Sequence, residues 1–424
     1  MLRRVLPRRL FHMSRRAVAI IIAGFFTVFV AFAIRYGYGL LLPKMLSSLS
    51  ISKTAAGVIY SSYFFTATLL SPILGLLVDR WNARVILTIF VAVLGTGACL
   101  VSLSATVLQA SIFFAIVGIG HSACWAPVVT VVLRWVSQKR RGIALSMVDL
   151  GSTVSIAFWS IVIPLMVVPF GWRIVWVCMG ALGLLVAGLN FGFVRSHPSS
   201  ELENAVSKAA PKVQISIKAA YVAILRDKRF HLIGLSYLLI SFSVLIPLLF
   251  LTTYATQELK ISYSSAAGIL GVAGVAGAIG KLIFGPISDF VGRVKVMMLC
   301  GIVIAAGGMG FAYARGLAAL IFFTVVFGVG YGTIWPVFAA SARDLFPKEY
   351  AGSIVGLWTV YHGLGSIIAP VFAGWTIDAT GTYYWAFMLT VTSAILSFLL
   401  LLPLAKAFSQ GAAPSRASRD QERK

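Results

Sequence analysis

Long apolar runs cut by short polar breaks set the rhythm of this chain. The runs cover roughly 17–42, 54–78, 85–104, 107–133, 142–167 and 173–194, then 230–256, 263–288, 294–313, 317–342, 351–376 and 383–405. Several exceed the roughly 20 residues that a helix needs to cross about 30 Å of hydrocarbon. Hydrocarbon holds no water to satisfy backbone N–H and C=O groups, so the runs must be helices. The pattern predicts an all-α membrane protein with twelve transmembrane helices. One long polar stretch parts them into two sets of six, giving an N-terminal bundle over 1–195, a cytoplasmic linker loop over 196–229 and a C-terminal bundle over 230–408. Residues 409–424 read as a disordered cytoplasmic tail. A short amphipathic helix around Ile215–Leu225 is expected on the inner membrane surface.

The second half repeats the first at a constant offset of 210 positions. Ile51-Ser52 matches Ile261-Ser262, and Gly75 and Asp79 match Gly285 and Asp289. Gly118, Gly120 and Trp125 match Gly328, Gly330 and Trp335; Gly142 matches Gly352, and Gly171 matches Gly381. A single glycine match means little, but one unbroken register across six helices is hard to obtain by chance. Two parallel six-helix repeats imply a central site between the halves and alternating access by rocking.

Composition agrees with this reading. The chain has 424 residues, 59% hydrophobic and only 11% charged, which excludes an ordinary soluble globule. A net charge of +23 would fit nucleic acid, but its placement argues otherwise. With the N-terminus inside, only Lys44, Lys53, Arg173, Lys260 and Arg315 of the 35 Lys and Arg fall on the outer side. Arg35 and Lys281 lie within spans, and all the rest are inside. This asymmetry puts both termini in the cytoplasm of an integral multi-pass protein, in the plasma membrane or, in a bacterium, the inner membrane. The basic excess is therefore a topology signal, aided by anionic lipid. The first sixteen residues hold six arginines, but the apolar run after them is long and lacks a small-residue cleavage site, so it reads as an uncleaved first span. Met1 and Met13 both remain open as the start.

Cys99, Cys124, Cys178 and Cys300 all fall in spans without metal spacing. No GxxxxGK[ST] run is present, which argues against an ATP-driven pump, and no enzyme constellation stands out. No cofactor is expected, and the chain is expected to work as a monomer.

Two loop motifs carry a family resemblance. They are Gly75-Leu76-Leu77-Val78-Asp79-Arg80-Trp81-Asn82-Ala83-Arg84 and Gly285-Pro286-Ile287-Ser288-Asp289-Phe290-Val291-Gly292-Arg293-Val294-Lys295. Both resemble the cytoplasmic signature G-x-x-x-D-[RK]-x-G-x-[RK] of the major facilitator superfamily. The second departs at Phe290 and the first at Asn82, where Gly is usual. Asn tolerates a left-handed turn, which would preserve the loop. Glycine lets helices approach closely, and an Asp at a helix end can pair with a neighbouring helix N-terminus and an Arg. The resemblance covers essentially the whole chain. It implies that Gly75, Asp79, Arg80, Arg84, Gly285, Asp289, Gly292 and Arg293 gate the cytoplasmic side.

A narrower resemblance rests on Lys139-Arg140-Arg141-Gly142 through Gly151, on Gly171-Trp172-Arg173, on Arg195-Ser196-His197-Pro198 and on Gly328 through Pro336. These are similar to the monocarboxylate transporters and the related oxalate/formate antiporters. In that branch the eighth helix carries an arginine that contacts the substrate carboxylate, and Lys281 holds the position here. Animal members often place an Asp one turn earlier, where this chain has Gly277. The lysine of the family's first helix is matched by Arg35.

Lys281 lies about 12 Å inside the exit at 1.5 Å per residue. A charge there is costly and usually faces a cavity, so it reads either as an anion site or as a lysine snorkelling to the inner interface. Arg35, in the outer half of the first span, is open to the same two readings. It cannot usefully deprotonate, so it cannot repeat a proton-carrying lysine. Asp149, two turns into the fifth span, either carries a proton or makes a structural bond. His121 and Tyr331 are repeat equivalents in spans that line the family's cavity, and His362 lies midway along the eleventh. Both histidines suit proton coupling or packing. Tyr36 and Tyr38 flank Arg35 as cavity donors or interfacial aromatics, whereas Trp125 and Trp335 read as packing.

The substrate-binding candidates are therefore Arg35, Lys281, Tyr331, His121, His362, Tyr36 and Tyr38, and the proton carriers Asp149, His121 and His362. The expected function is secondary transport of a small organic anion, a monocarboxylate of lactate or pyruvate type, by proton symport. The rivals are an oxalate/formate-type anion exchanger and a membrane sensor that binds carboxylates without moving them. A cation or drug exporter fits less well, because the cavity candidates are mostly basic.

Overall fold

The computed structural model describes residues 14–137, 140–195, 224–346 and 351–411; the side chains of 75–80, 351–352 and 406–411 lie outside that set. All regular structure among the described residues is helical. The first half holds α1 (Arg15–Leu49), α2 (Lys53–Arg80), α3 (Ala83–Val101), α4 (Val107–His121), α5 (Ala126–Trp135) and α6 (Arg141–Phe193). The second holds α7 (Lys228–Gln257), α8 (Tyr263–Val291), α9 (Arg293–Tyr313), α10 (Leu317–Leu345), α11 (Ala351–Thr380) and α12 (Tyr384–Gly411).

These elements give the twelve expected spans once two irregularities are read correctly. A turn at residues 122–125 divides one span into α4 and α5, with Pro127 at the start of α5 where its missing N–H costs nothing. Conversely, α6 runs for 53 residues but breaks at Gly171, with φ 75° and ψ 167°. A straight helix of that length would reach about 80 Å, far beyond a bilayer, so α6 is two spans joined at this glycine.

The chain forms two compact units, Met1–Ser50 with Ser62–Val213, and Ile51–Ser61 with Gln214–Lys424. In the first, α6 packs on α1 and α3, and α3 packs on α4. In the second, α10 packs on α8 and α9, while α12 and α7 cover α9 and α11. Buried polar clasps join the helices: Asn190 Nδ2 donates to Thr27 Oγ1 at 2.9 Å, and the hydroxyls of Ser236 and Ser397 meet at 2.7 Å, as do those of Ser241 and Ser366. Such bonds contribute on average about 0.6 kcal/mol each within a bilayer.

The internal repeat reappears as equivalent contacts inside each unit. A Cβ on Gly118 would lie 2.2 Å from the Tyr63 carbonyl oxygen, and one on Gly328 would lie 2.8 Å from that of Ala273, the repeat equivalent of Tyr63. Gly120 meets Phe90 O, and Gly330 meets Cys300 O, another equivalent pair. Ser52 Oγ accepts from Ala55 N at the start of α2, as Ser262 Oγ accepts from Ser265 N at the start of α8. Gly171 and Gly381 share a positive φ, 75° and 72°.

Some expectations meet a different arrangement. Asn82 does not turn left-handed; it is extended (φ −66°, ψ 108°), and its side-chain oxygen accepts from Arg84 N at 3.0 Å to cap α3. A side-chain cap satisfies an orphan N–H that a left-handed turn would leave. Of the surface helix expected over Ile215–Leu225 only residues 224–226 include a described, helical part. Asp227 then caps α7 and pairs with Arg229 at 2.7 Å, which holds its carboxyl below the ordinary carboxylate range. At the other end, α12 runs to Gly411, past the start of the expected tail; residues 412–424 lie outside the described set.

Candidate functional site

In the first unit, α1 presents Arg35 among aromatic faces. The guanidinium carbon lies 5.0 Å from the Phe64 ring centroid, 5.5 Å from Tyr36 and 5.6 Å from Phe32. Ring faces attract a cation, more strongly where water is excluded. His121, at the end of α4, joins the same cluster: its ring is 5.2 Å from Tyr63 and 5.8 Å from Phe32, within electrostatic reach of Arg35. Its Nδ1 is buried with no hydrogen-bond partner among the described residues. Arg35, Tyr36 and His121 are thus brought together. Tyr38 faces elsewhere, fully buried with its ring 4.8 Å from Phe114. Asp149 is half-buried in α6, where its carbonyl accepts from the Ser152 hydroxyl at 2.7 Å.

In the second unit, glycines set the place of Lys281. A Cβ on Gly332 would lie 2.1 Å from Gly277 O, and one on Gly280 would lie 2.3 Å from Val329 O. The backbones of α8 and α10 therefore touch just before Lys281. The lysine is half-buried, and the next residue, Leu282, is 76% exposed. Gly277 stands where the resembling family often has an Asp; a Cβ there would meet Gly328 O and Gly332 Cα at 3.3 Å. An acidic side chain could enter only if α8 and α10 moved slightly apart.

His362 on α11 lies against Trp335 (4.7 Å between centroids) and Tyr237 (5.3 Å), with Ser366 Oγ 3.5 Å from Nδ1. Tyr237 in turn stacks on Phe338 at 4.4 Å. Tyr331 is buried and stacked on Phe327. Sequence reasoning passed over Tyr237, Phe64 and Tyr63. Aromatic residues are frequent in every span, and nothing in their spacing distinguishes these three.

At the second exit, α8 ends at Gly292, whose φ of 101° favours glycine, and α9 starts at Arg293. The Arg293 guanidinium donates to Asp289 and to the Ser288 hydroxyl, and its Nε donates to Asp344 at 3.0 Å. Asp344, on α10, was not foreseen, because the repeat places Arg134 at the equivalent position. At the first exit the guanidinium of Arg84 lies 4.1 Å over the Phe191 ring. The side chains of Gly75, Asp79 and Arg80 lie outside the described set.

Comparison with known proteins extends the picture to the whole chain. A family model described as Major Facilitator Superfamily matches residues 24–282 and 233–422. A hexuronate transporter of Bacillus subtilis is 23% identical over 409 residues, covering 92% of this chain and 94% of its own. Monocarboxylate transporter 12-B of Danio rerio is 23% identical over 381 residues, covering 82% of this chain and 78% of its own. Among solved structures, a mutant of the nucleoside transporter NupG superposes with a TM-score of 0.76 at 14% identity, covering 91% of this chain and 99% of that one. At that identity the likeness is one of fold.

Proposed function

Because the chain belongs to the major facilitator superfamily, and is thus a multi-pass membrane transporter and not an enzyme, we propose that its cargo is a small organic anion bearing a carboxylate. The observation that carries this reading is the pair of cations within spans: Arg35 in the first unit and Lys281 in the second, both half-buried. Intramembrane charges of this kind normally serve a pathway or a ligand. Two of the matching relatives fit this chemistry: a hexuronate and a monocarboxylate each present one carboxylate. A lactate- or pyruvate-like monocarboxylate is the favoured substrate. Lys281 binds the carboxylate as a compact point charge, and Arg35 is the second cation, its plane steadied by rings.

Proton symport is the favoured coupling, with His121, His362 or Asp149 as carrier. Of these, His121 shares an aromatic cluster with Arg35, through Phe32, so a proton taken up there would be coupled to the charge beside it. Anion exchange is the second reading. Two cations already exceed the charge of one carboxylate, and Arg35 keeps its proton throughout. The protein acts as a monomer in the plasma membrane, with both termini in the cytoplasm.

Uptake of labelled carboxylates into proteoliposomes tests these readings. Accumulation driven by an inward proton gradient supports symport, and counterflow without such accumulation supports exchange. Binding without flux would turn the reading to a sensor, and neither binding nor flux would remove the carboxylate from it. Lys281→Gln should abolish transport in a protein that remains folded; normal transport by that variant would make the lysine a snorkelling residue.

A further inference from the structure

The outer end of α2 is fastened to α11 by a carboxylate. Residues 51–61 belong to the second unit, so these contacts lie within it. Asp378, near the end of α11, accepts the N–H of Lys53 at 3.1 Å, the N–H of Thr54 at 2.8 Å and the Thr54 hydroxyl at 2.6 Å. The two N–H groups are at the start of α2 and have no intrahelical acceptor, and the positive end of a helix favours an anion. One turn further along, a Cβ on Gly57 would lie 2.2 Å from Pro370 O, and one on Gly374 would lie 2.3 Å from Lys53 O. Beyond that, the Ser61 hydroxyl donates to Ile367 O at 2.6 Å. Positions 367, 370, 374 and 378 share one face of α11, and they meet 61, 57 and 53–54 in antiparallel order. Past Ser61 the same helix continues into the first unit.

We propose that Asp378 is a positioning residue for transport: its carboxylate holds the outer end of α2 on α11, and its protonation from the adjoining solution releases that end. An ionised carboxylate only accepts hydrogen bonds, whereas a protonated one carries an O–H that confronts the donors of α2. Asp378 is exposed, so the proton needs no path through the protein. The surrounding groups are Lys53 on α2, together with the Ser52 and Thr54 hydroxyls; Tyr383 just before α12; and Glu258 at the end of α7. Burial, then Glu258 and Asp378, push the Tyr383 phenol up, so it does not titrate in acid. The bonds of Glu258 go to Thr382 and the Tyr383 N–H rather than to α2. The inference rests on the fold and not on which anion is carried.

The test uses purified full-length protein in which the four native cysteines are replaced by serine. One variant carries Ser61→Cys, at a buried position on α2, and a reference carries Arg315→Cys, at an exposed one. The ratio of their maleimide labelling rates cancels the thiol's own titration. The ratio should rise severalfold between neutral pH and the acid range in which Asp378 takes up its proton; burial opposes the charge, but the Thr54 and Lys53 donors outweigh it and hold the carboxyl below the ordinary carboxylate range. Adding Asp378→Asn should raise it about tenfold at neutral pH and flatten its pH dependence, and Asp378→Glu should restore part of both. A flat ratio with Asp378 in place overturns the proposal, as does an equal rise with Asp378→Asn, which would assign the pH response to a group other than Asp378. If Asp378→Asn does not fold, the pH profile of Ser61→Cys still decides.

Discussion

The two units follow one register but treat their charges in opposite ways. In the first, Arg35 is held among Phe64, Tyr36 and Phe32, and its repeat equivalent in the second is the fully buried Leu245. In the second, Lys281 follows a glycine contact between α8 and α10; its equivalent in the first is Ser71, whose hydroxyl turns back to Ala67 O at 2.6 Å. Where the halves agree, at Gly118 and Gly328 or Gly120 and Gly330, the residues serve backbone contact. At positions 35 and 281 they differ, and there a charge stands in one half only. Duplication explains the shared positions, and the unshared cations are the ones on which the proposed anion site rests.

Transplanting a residue from one half to its equivalent is the sharpest way to break this comparison. Lys281→Ser installs the first half's residue and should cause the largest loss. Truncating one partner of a buried charged contact costs about 2–5 kcal/mol, so uptake should fall roughly thirtyfold or more. Proteoliposome flux measures the loss, and an unchanged monodisperse profile shows that the fold survives. Flux within twofold or so of the parent would mean that the unshared charge is not what binds substrate.

Gly332→Ser, which imports Ser122, comes next and acts on stability. The new Cβ would lie 2.1 Å from Gly277 O, a backbone atom that cannot step aside as a side-chain tip could. Overpacking of this kind costs about 1–3 kcal/mol, read as a lower thermal midpoint in detergent. The first unit tolerates serine because α4 ends at His121 and Ser122 begins a turn, where its hydroxyl donates to Ile119 O.

The exits give an asymmetric exchange. Gly292→Asn forces a side chain into φ 101°, ψ 140°, at a cost of about 1–3 kcal/mol. The reverse change, Asn82→Gly, removes a side-chain cap from an extended residue and should cost only a few tenths of a kcal/mol. Equal thermal shifts for the two would show that both exits use the same turn, contrary to their backbone angles.

Such differences mark how far the sequence could be read. Length and hydropathy dictate the spans because hydrocarbon leaves a backbone no alternative to the helix, and a fixed register dictates the repeat. Charge is equally legible, since Lys281 and Arg35 stand out in apolar runs. What escaped is contact made by common residue types. Phe64 and Tyr237 are aromatic residues among many, and only packing selects them. Asn82 could be read as a left-handed residue or as a cap, and the choice depends on the N–H groups of α3 rather than on the motif. Asp344 escaped because the repeat has an arginine there.

Asp344 also supplies the smallest effect. It accepts from Arg293 Nε at 3.0 Å, and the aspartate side chain is 50% exposed. Arg293 already donates to Asp289 and Ser288 on its own side of the loop, so Asp344 adds the link to α10. An ion pair this open to water contributes about 0–1 kcal/mol, and salt weakens it further, the screening length being about 3 Å at 1 M. Asp344→Asn should therefore lower the thermal midpoint by a few degrees at most at low salt and by nothing measurable at high salt. Gly292→Asn, a matter of backbone strain, should keep its full cost at both. If Asp344→Asn stays costly in high salt, the contact is geometric rather than electrostatic. The exit loop would then be held to α10 by shape, as α8 is held by its glycines.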